Sequence, residues 1–591
     1  MEPELNAEDV LVENGHPRPA TAWIHAHSPL TLWRSVFRED RLFLILSVFI
    51  GVFSGLAVVC FRFAIDWARL YLLGTGTVLT PVRMLLAPTL AGLVIAVLVI
   101  HFFPTARGSG VNQTKAALYI FNGNIPLRTA IGKFITSALA IGSGHSLGPE
   151  DPSLQIGACI ASAVGRKMRL QRDRMRLIAP VGAAAGLAAA FNAPISAVLF
   201  VIEEVIGRWT AGILGSVVLS AISSVVVMRW FLGSESLFRI PAVELKRPAE
   251  LIAYAALGVV GGLASVVFAS GIAWLRPLCK SLPRWTQYLQ PAVAGLLIGI
   301  IAVLGAPQVM GAGYEYIDQA MHGQFTWEFL AILAGLKIVA TLLSFVSGTP
   351  GGMFAPTLFI GAMLGAAVGG AEHVLLPHLT GSPGTYALVG MGVLFAGFLR
   401  APMTSVFMVL EVSGNYSIIV PVILANTVAY LISRGLQPTA IFDLLTRQDG
   451  LELPSMEEQR EEDILRVEDA MQPAEAPVLD AETTLDQALQ QLDHSEMERV
   501  LVRLTPSGWG SVSKQELLTM ASEGKGTTKL GTLLPIAPVP YLHPDLPLET
   551  ALRYVDRWPL VPVVSRADFR HLEGVVTQRH VLERYREFGE G

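Results

Sequence analysis

The chain has 591 residues, 52% of them hydrophobic and 15% charged, with a net charge of -5 and a mean hydropathy of +0.51. That balance excludes an ordinary soluble enzyme and predicts that most of the chain lies in a bilayer; nothing in the charge suggests a nucleic-acid partner. The 3 cysteines, Cys60, Cys159 and Cys279, are too far apart to suggest a metal site or a disulfide framework.

The first 40 residues are polar and lack the apolar core of a cleavable signal, so the mature chain is expected to begin at or near Met1. Arg34, Arg38 and Arg41 precede the first apolar run and predict a cytoplasmic N-terminus. Runs 42–73 and 82–103 are long enough to span as helices. From about 108 to 207 the apolar pieces shorten to about 11 to 16 residues, broken by Gly, Pro and Asn. Broken helices at membrane depth are tolerated where they line a cavity or are buried in protein. Longer runs return at 213–232, 251–275 and 291–304, and a second broken region covers 337–431.

The two broken regions are copies. Residues 133–165 and 337–369 align without a gap and share 13 of 33 positions, where about 2 to 4 are expected by chance in apolar sequence. The matches include Lys133/Lys337, Ser143/Ser347, Gly144/Gly348, Gly148/Gly352 and Pro152/Pro356. At an offset of 208, NAPISAVLFVIEE falls on RAPMTSVFMVLEV and matches Ala193/Ala401, Pro194/Pro402 and Glu203/Glu411. Duplicated membrane halves with broken helices in corresponding places point to a transporter with its site at the repeat interface. The expected fold is an all-α polytopic inverted repeat with broken half-helices, its halves at about 41–210 and 250–446, followed by a soluble α/β region.

That soluble region follows a linker, 447–464, containing the acidic run MEEQREED. Residues 465–591 repeat internally, with Leu479/Leu542, Leu485/Leu548 and Ala488/Ala551 among the matches between 478–493 and 541–556, and the second copy ends in LEGVVTQRHVLERY. Six basic residues against one acid in RKMRLQRDRMR mark a cytoplasmic loop, as a topology signal or a lipid contact.

GHSLG, residues 144–148, has the spacing of a hydrolase nucleophile elbow. It lacks the strand before the serine and the later acid and histidine, and its partner in the other half is GTPGG, which keeps the glycines but not His145 or Ser146. A hydrolase is excluded on that ground. Glycines ahead of a helix let backbone approach a ligand, and the helix start offers unpaired N–H groups and a positive dipole end. Half-helices starting near Glu150 and Phe354 would converge at mid-membrane on a small anion. Lys133 and Lys337 either add positive potential there or instead snorkel or pair.

In order along 40–446, GSGVN at 108–112, GPEDP at 148–152, VIEE at 201–204 and GGMFAP at 351–356 resemble the motifs of the CLC family of chloride channels and anion/proton exchangers. The resemblance implies no enzyme activity and no required cofactor. It implies a homodimer in an inner or plasma membrane, with both termini cytoplasmic and chloride and protons as substrates. It makes Glu150 the external gating and proton glutamate and Glu204 the internal proton glutamate, though Glu204 also reads as a solvated residue at a helix end. Glu203, duplicated as Glu411, reads as structural. The anion would meet the Ser109 hydroxyl, with Gly110 beside it, and the backbone N–H groups of Met353 and Phe354. Serine at position 109 goes with chloride preference in the family rather than nitrate, and the fluoride branch usually lacks it. Antiport of chloride for protons is the expected function; a passive channel gated by Glu150 is the alternative, followed by a fluoride- or nitrate-preferring exchanger.

Three positions depart from the family pattern. Phe442 stands where the family has an anion-coordinating tyrosine, Asn112 where it has proline, and Asp151 where it has glycine. Asp151 adds a second carboxylate beside Glu150, which would disfavour ionisation of Glu150 if both are buried. Residues 465–591 resemble a tandem pair of CBS domains. These imply either adenine-nucleotide binding or a constitutive dimerisation module, and the ribose-binding aspartate is not kept: Glu516 follows Ser513 and His580 follows Thr577.

Overall fold

The structure, a computed structural model, describes residues 29–589 except 75–79, 208–210, 235–237, 239–247, 249, 376–381, 452, 454–464, 474–477, 493–498, 505–507, 534–537 and 567; within 29–40 only the backbone path is described. Most of the predicted N-terminal segment and the acidic run of the linker fall outside these residues. The chain divides into two compact units, Met1–Leu453 and Pro454–Gly591.

The first unit is helical. Its first half runs through α1 (Pro29–Leu72), α2 (Pro81–Val97), α3 (Gly110–Tyr119), α4 (Leu127–Ser143), α5 (Glu150–Lys167), α6 (Arg172–Phe191), α7 (Pro194–Phe200) and α8 (Ala211–Leu232). The second half repeats the order as α9 (Glu250–Ser281), α10 (Gln290–Val303), α11 (Tyr314–Met321), α12 (Trp327–Val346), α13 (Phe354–Leu375), α14 (Pro383–Leu399), α15 (Pro402–Ser413) and α16 (Ile419–Leu436), and α17 (Ile441–Gln448) ends the unit. The two halves thus run in the same helix order, ending at α8 and α16.

Several pieces in the broken regions are longer than their apolar runs suggest. Polar residues extend α5 to 18 residues and α6 to 20, because the core is protein rather than lipid and accepts Ser153, Gln155 and Ser162. Backbone conformation is duplicated with the sequence. Gly144 ends α4 at φ +108 and Gly348 follows α12 at φ +81. Asn192 and Arg400, 208 residues apart, end α6 and α14 at φ 57 and 62. That conformation costs a side-chain-bearing residue about 1–2 kcal/mol, and Arg400 donates to the carbonyls of Ser433 and Gln437 there. α5 crosses α6 so closely that a Cβ on Gly157 would strike the carbonyl of Gly182, and α13 crosses α14 in the same way at Gly361 and Gly390.

Large apolar side chains cover the outside, including Phe49, Trp230 and Trp274, the second of them 85% exposed. A water-facing surface would not carry this load; a lipid-facing one does. Among the described residues, eight helices are long and apolar enough to cross a membrane.

The second unit is α/β. Strands β1 (Leu479–Asp480), β2 (Arg499–Arg503), β3 (Trp509–Ser513) and β4 (Pro538–Val539) form one sheet, and β5 (Val561–Val564) pairs antiparallel with β6 (Leu572–Val576). The internal repeat appears in the pairing: Leu479 lies parallel to Val502, and its counterpart Leu542 lies parallel to Val563. Leu501, Trp509, Leu560, Val564 and Val575 pack the copies together, and Trp509 Nε1 donates to the Phe569 carbonyl.

Candidate functional site

The copies meet where α5 and α13 begin. Gly148 N–H donates to the Gly352 carbonyl at 2.8 Å and Gly352 N–H to the Gly148 carbonyl at 2.9 Å, an antiparallel exchange between equivalent residues. It sets the first turns of α5 and α13 side by side, with their unpaired N–H groups at one place. Only glycine fits: a Cβ on Gly148 would collide with Ala355 Cβ and Glu150 Oε2, and one on Gly352 with Asp151 Cβ.

Glu150 is the first residue of α5 and 0% exposed, and neither carboxyl oxygen has a hydrogen-bond partner among the described residues. A buried carboxyl group is costly, and the backbone N–H groups of Glu150 and Ala355, at the starts of α5 and α13, are the nearby donors for its charged form. Asp151 is buried too, and its carboxylate is bonded to the neighbouring helix start. It accepts from Ser109 Oγ at 2.9 Å, Gly110 N at 2.5 Å and Val111 N at 3.1 Å, at the start of α3.

Lys133 and Lys337 neither snorkel nor pair with carboxylates. Lys133 Nζ donates to the carbonyls of Ala106 and Gly108 at 3.2 and 2.5 Å, and Lys337 Nζ to those of Val309 and Gly311 at 2.9 and 2.7 Å. Each ties down the loop leading to the short helix of its half, α3 or α11, and buries a cation behind it.

Met353 and Phe354 are buried at the start of α13. The Phe354 ring meets those of Phe191, Phe200, Phe395 and Phe442 at 6.0, 5.0, 5.7 and 6.3 Å between centroids. Phe442 thus stands at the site with a ring and no hydroxyl. Asn112 Nδ2 donates to the Phe442 carbonyl at 3.1 Å, which fastens α3 to α17 where a proline could not. Ser109, Gly110, Glu150, Phe354 and Phe442 are therefore brought together.

After α7 the chain widens into a π turn, Val201–Ile206, which sends adjacent carboxylates to different partners. Glu203 accepts from the N–H groups of Met403 and Thr404 and from Thr404 Oγ1 at 3.2, 2.8 and 2.6 Å, capping α15. Glu411 returns the arrangement on α7 through Ile195 N, Ser196 N and Ser196 Oγ. Glu204 is buried rather than solvated. Lys115 Nζ lies 3.4 Å from its Oε1 and 2.9 Å from Asp443 Oδ1, all three residues buried.

Sequence reasoning missed Lys115 and Asp443. An intramembrane lysine six residues after Ser109 was the available signal. Six residues of helix are about 9 Å, so α3 carries Ser109 at one end and the partner of Glu204 toward the other.

Two cavities of about 260 Å³ each reach this region. One is lined by Arg62, Asp66, Arg69, Pro149, Ser153 and Glu315, and the other by Arg107, Ser109, Asn112, Thr446 and Asp449. Ser146 Oγ lies 3.0 Å from Thr341 Oγ1, and His145 Nε2 lies 3.2 Å from the Pro88 carbonyl, so the apparent elbow holds packing residues. In the second unit, Ser513 and Glu516 cap the helix Lys514–Ser522 reciprocally, and His580 N donates to Thr577 Oγ1 at 3.3 Å.

Residues 91–434 match the family model described as voltage gated chloride channel, and residues 531–587 match that of the CBS domain. The chain is 31% identical over 419 residues to a putative chloride channel protein, ClcB-like, of Ralstonia nicotianae, a match covering 68% of this chain and 97% of that one. It is 34% identical over 355 residues to the H(+)/Cl(-) exchange transporter ClcA of Vibrio campbellii (59% and 75% covered), and 33% over 428 residues to that of Salmonella paratyphi B (69% and 89%). Its fold resembles a slow cyanobacterial Cl-/H+ antiporter, with a TM-score of 0.63, 24% identity and coverage of 69% and 97%, and a eukaryotic CLC transporter, with a TM-score of 0.61, 19% identity and coverage of 91% and 97%. The chain belongs to the voltage gated chloride channel family, the CLC family, whose members are not enzymes, and carries a CBS domain near its C-terminal end.

Proposed function

We propose that the chain is an anion/proton antiporter that exchanges chloride for protons, working as a homodimer in an inner or plasma membrane with both termini cytoplasmic. The observation that carries this reading is a pair of separate buried carboxyl groups, Glu150 at the joined helix starts, beside the residue that bonds the first turn of α3, and Glu204 against Lys115 farther along α3 and Asp443 of α17. Glu150, charged, competes with an anion for the α5 and α13 N–H groups; protonated, it yields the place. Glu204 passes protons from the opposite side. Backbone N–H groups hold the anion without a full positive charge that would trap it.

A passive channel is the second reading, favoured by the bare Phe442 ring, which leaves the anion one hydroxyl donor fewer. Purified protein in liposomes under a chloride gradient separates the two. The antiporter reverses away from the chloride equilibrium potential when a pH gradient is imposed; a reversal that stays on that potential refutes antiport. For the CBS region, Glu516 and His580 stand where the ribose-binding aspartate would be and their backbone N–H groups are bonded within their own turns, which weighs against adenine-nucleotide binding and leaves constitutive dimerisation as the reading.

A further inference from the structure

We infer that Asp151 is a resident anion: its carboxylate fills the end of the anion site made by Ser109 and the first N–H groups of α3, and a transported anion gains those donors only by displacing it. This rests on the anion-site reading above and adds a residue that sets how tightly that site binds.

Three donors at that end converge on one acceptor. Ser109 Oγ, Gly110 N and Val111 N all point to one carboxylate, at 2.9, 2.5 and 3.1 Å, and Val111 N is shared with Ser109 Oγ at 3.2 Å. The Lys133 ammonium stands behind the same loop, on the carbonyls of Ala106 and Gly108, so the cradle is electropositive from two sides. Gly110 fits only because it lacks a Cβ, which would lie 2.7 Å from Asp151 Oδ1.

A simpler view makes Asp151 a helix cap needed to build the loop. The second half of the chain argues against it. There Lys337 holds the equivalent loop by the carbonyls of Val309 and Gly311, Ala312 and Ala355 stand at the positions of Ser109 and Asp151, and Gly313, just before α11, gives that helix no side-chain cap. The fold makes this turn without hydroxyl or carboxylate. Ser109 and Asp151 are present together in one half and absent together in the other, as expected of groups that serve the ligand side rather than the turn. With Phe442 also lacking a hydroxyl, an incoming anion must rely on the α5 and α13 ends, for which Glu150 competes, until Asp151 gives way.

The test is equilibrium chloride binding by calorimetry on the purified full chain in gluconate buffer, with liposome chloride flux measured in parallel. Asp151→Gly vacates the cradle; Asp151→Asn removes the charge while keeping the shape and an acceptor oxygen, so it reports even if the glycine variant fails to fold. Both are expected to lower the chloride dissociation constant by about tenfold or more, since charge-assisted donors are released to the ligand. Adding Ser109→Ala to Asp151→Gly should take most of that gain away, which a merely structural role for Asp151 would not produce. Tighter binding in the variants supports the inference even if the wild type binds chloride too weakly to measure. Unchanged affinity in monodisperse variants, with the wild type moving chloride, overturns it and leaves Asp151 a cap. Absence of both binding and flux in wild type and variants overturns it together with the anion-site reading.

Discussion

Replacing Lys115 with methionine removes the cation that joins Glu204 to Asp443 while keeping most of the side-chain volume. Its Nζ lies 2.9 Å from Asp443 Oδ1 and 3.4 Å from Glu204 Oε1, with side-chain exposures of 1%, 9% and 3%. Removing one member of a buried pair leaves uncompensated charge and costs about 3–5 kcal/mol, whereas removing the whole group costs far less. Lys115→Met should therefore lower the thermal stability of the detergent-solubilised protein by that order, and Lys115→Met with Asp443→Asn should recover much of it, as coupled neighbours do. The same variant should slow proton flux in liposomes more than chloride flux, because Glu204 loses its partner while the helix start at Ser109 is six residues away. A Lys115→Met protein as stable as the wild type, with an unchanged proton-to-chloride ratio, would refute this account of the buried group.

Glu150→Gln should uncouple chloride from proton movement by fixing a neutral side chain at the joined helix starts; unchanged coupled flux would count against Glu150 as the gate. Glu204→Val, which installs the residue found at the matching position of the second half, Val412, should abolish proton flux and leave chloride flux measurable. Glu203→Gln and Glu411→Gln each weaken charge-assisted caps on the opposite half, and each should lower thermal stability by about 2–3 kcal/mol without changing the transport ratio. Trp509→Ala in the packing between the C-terminal copies should cost about 3–5 kcal/mol, read as early loss of the second unit in a two-stage unfolding scan.

Much of the fold was legible because the chain contains its own comparison. The offset of 204 residues identified Gly148 and Gly352 as retained positions, and in three dimensions these are the residues that exchange hydrogen bonds. The offset of 208 paired Glu203 with Glu411, and their carboxylates cap reciprocal helices. Helix lengths in the broken regions were less legible, because a hydropathy run measures contact with lipid and these helices are enclosed by protein. Asp151 was readable as a departure but not as a contact: nothing in the neighbouring residues shows that its side chain crosses to α3.

The sequence by itself determined the duplication, the glycines at the helix starts and the positions of the acidic residues, since these depend on local backbone chemistry and on a repeat that can be counted. Only the tertiary structure decided what each charge faces. Lys115, Glu204 and Asp443 come from three helices separated by as many as 328 residues, and no local pattern predicts that their charges meet. The same holds for Lys133 and Lys337, whose partners are backbone carbonyls and therefore leave no mark in residue type. Charge pairing inside a membrane fold is set by which helix ends converge, and that is a property of packing rather than of spacing.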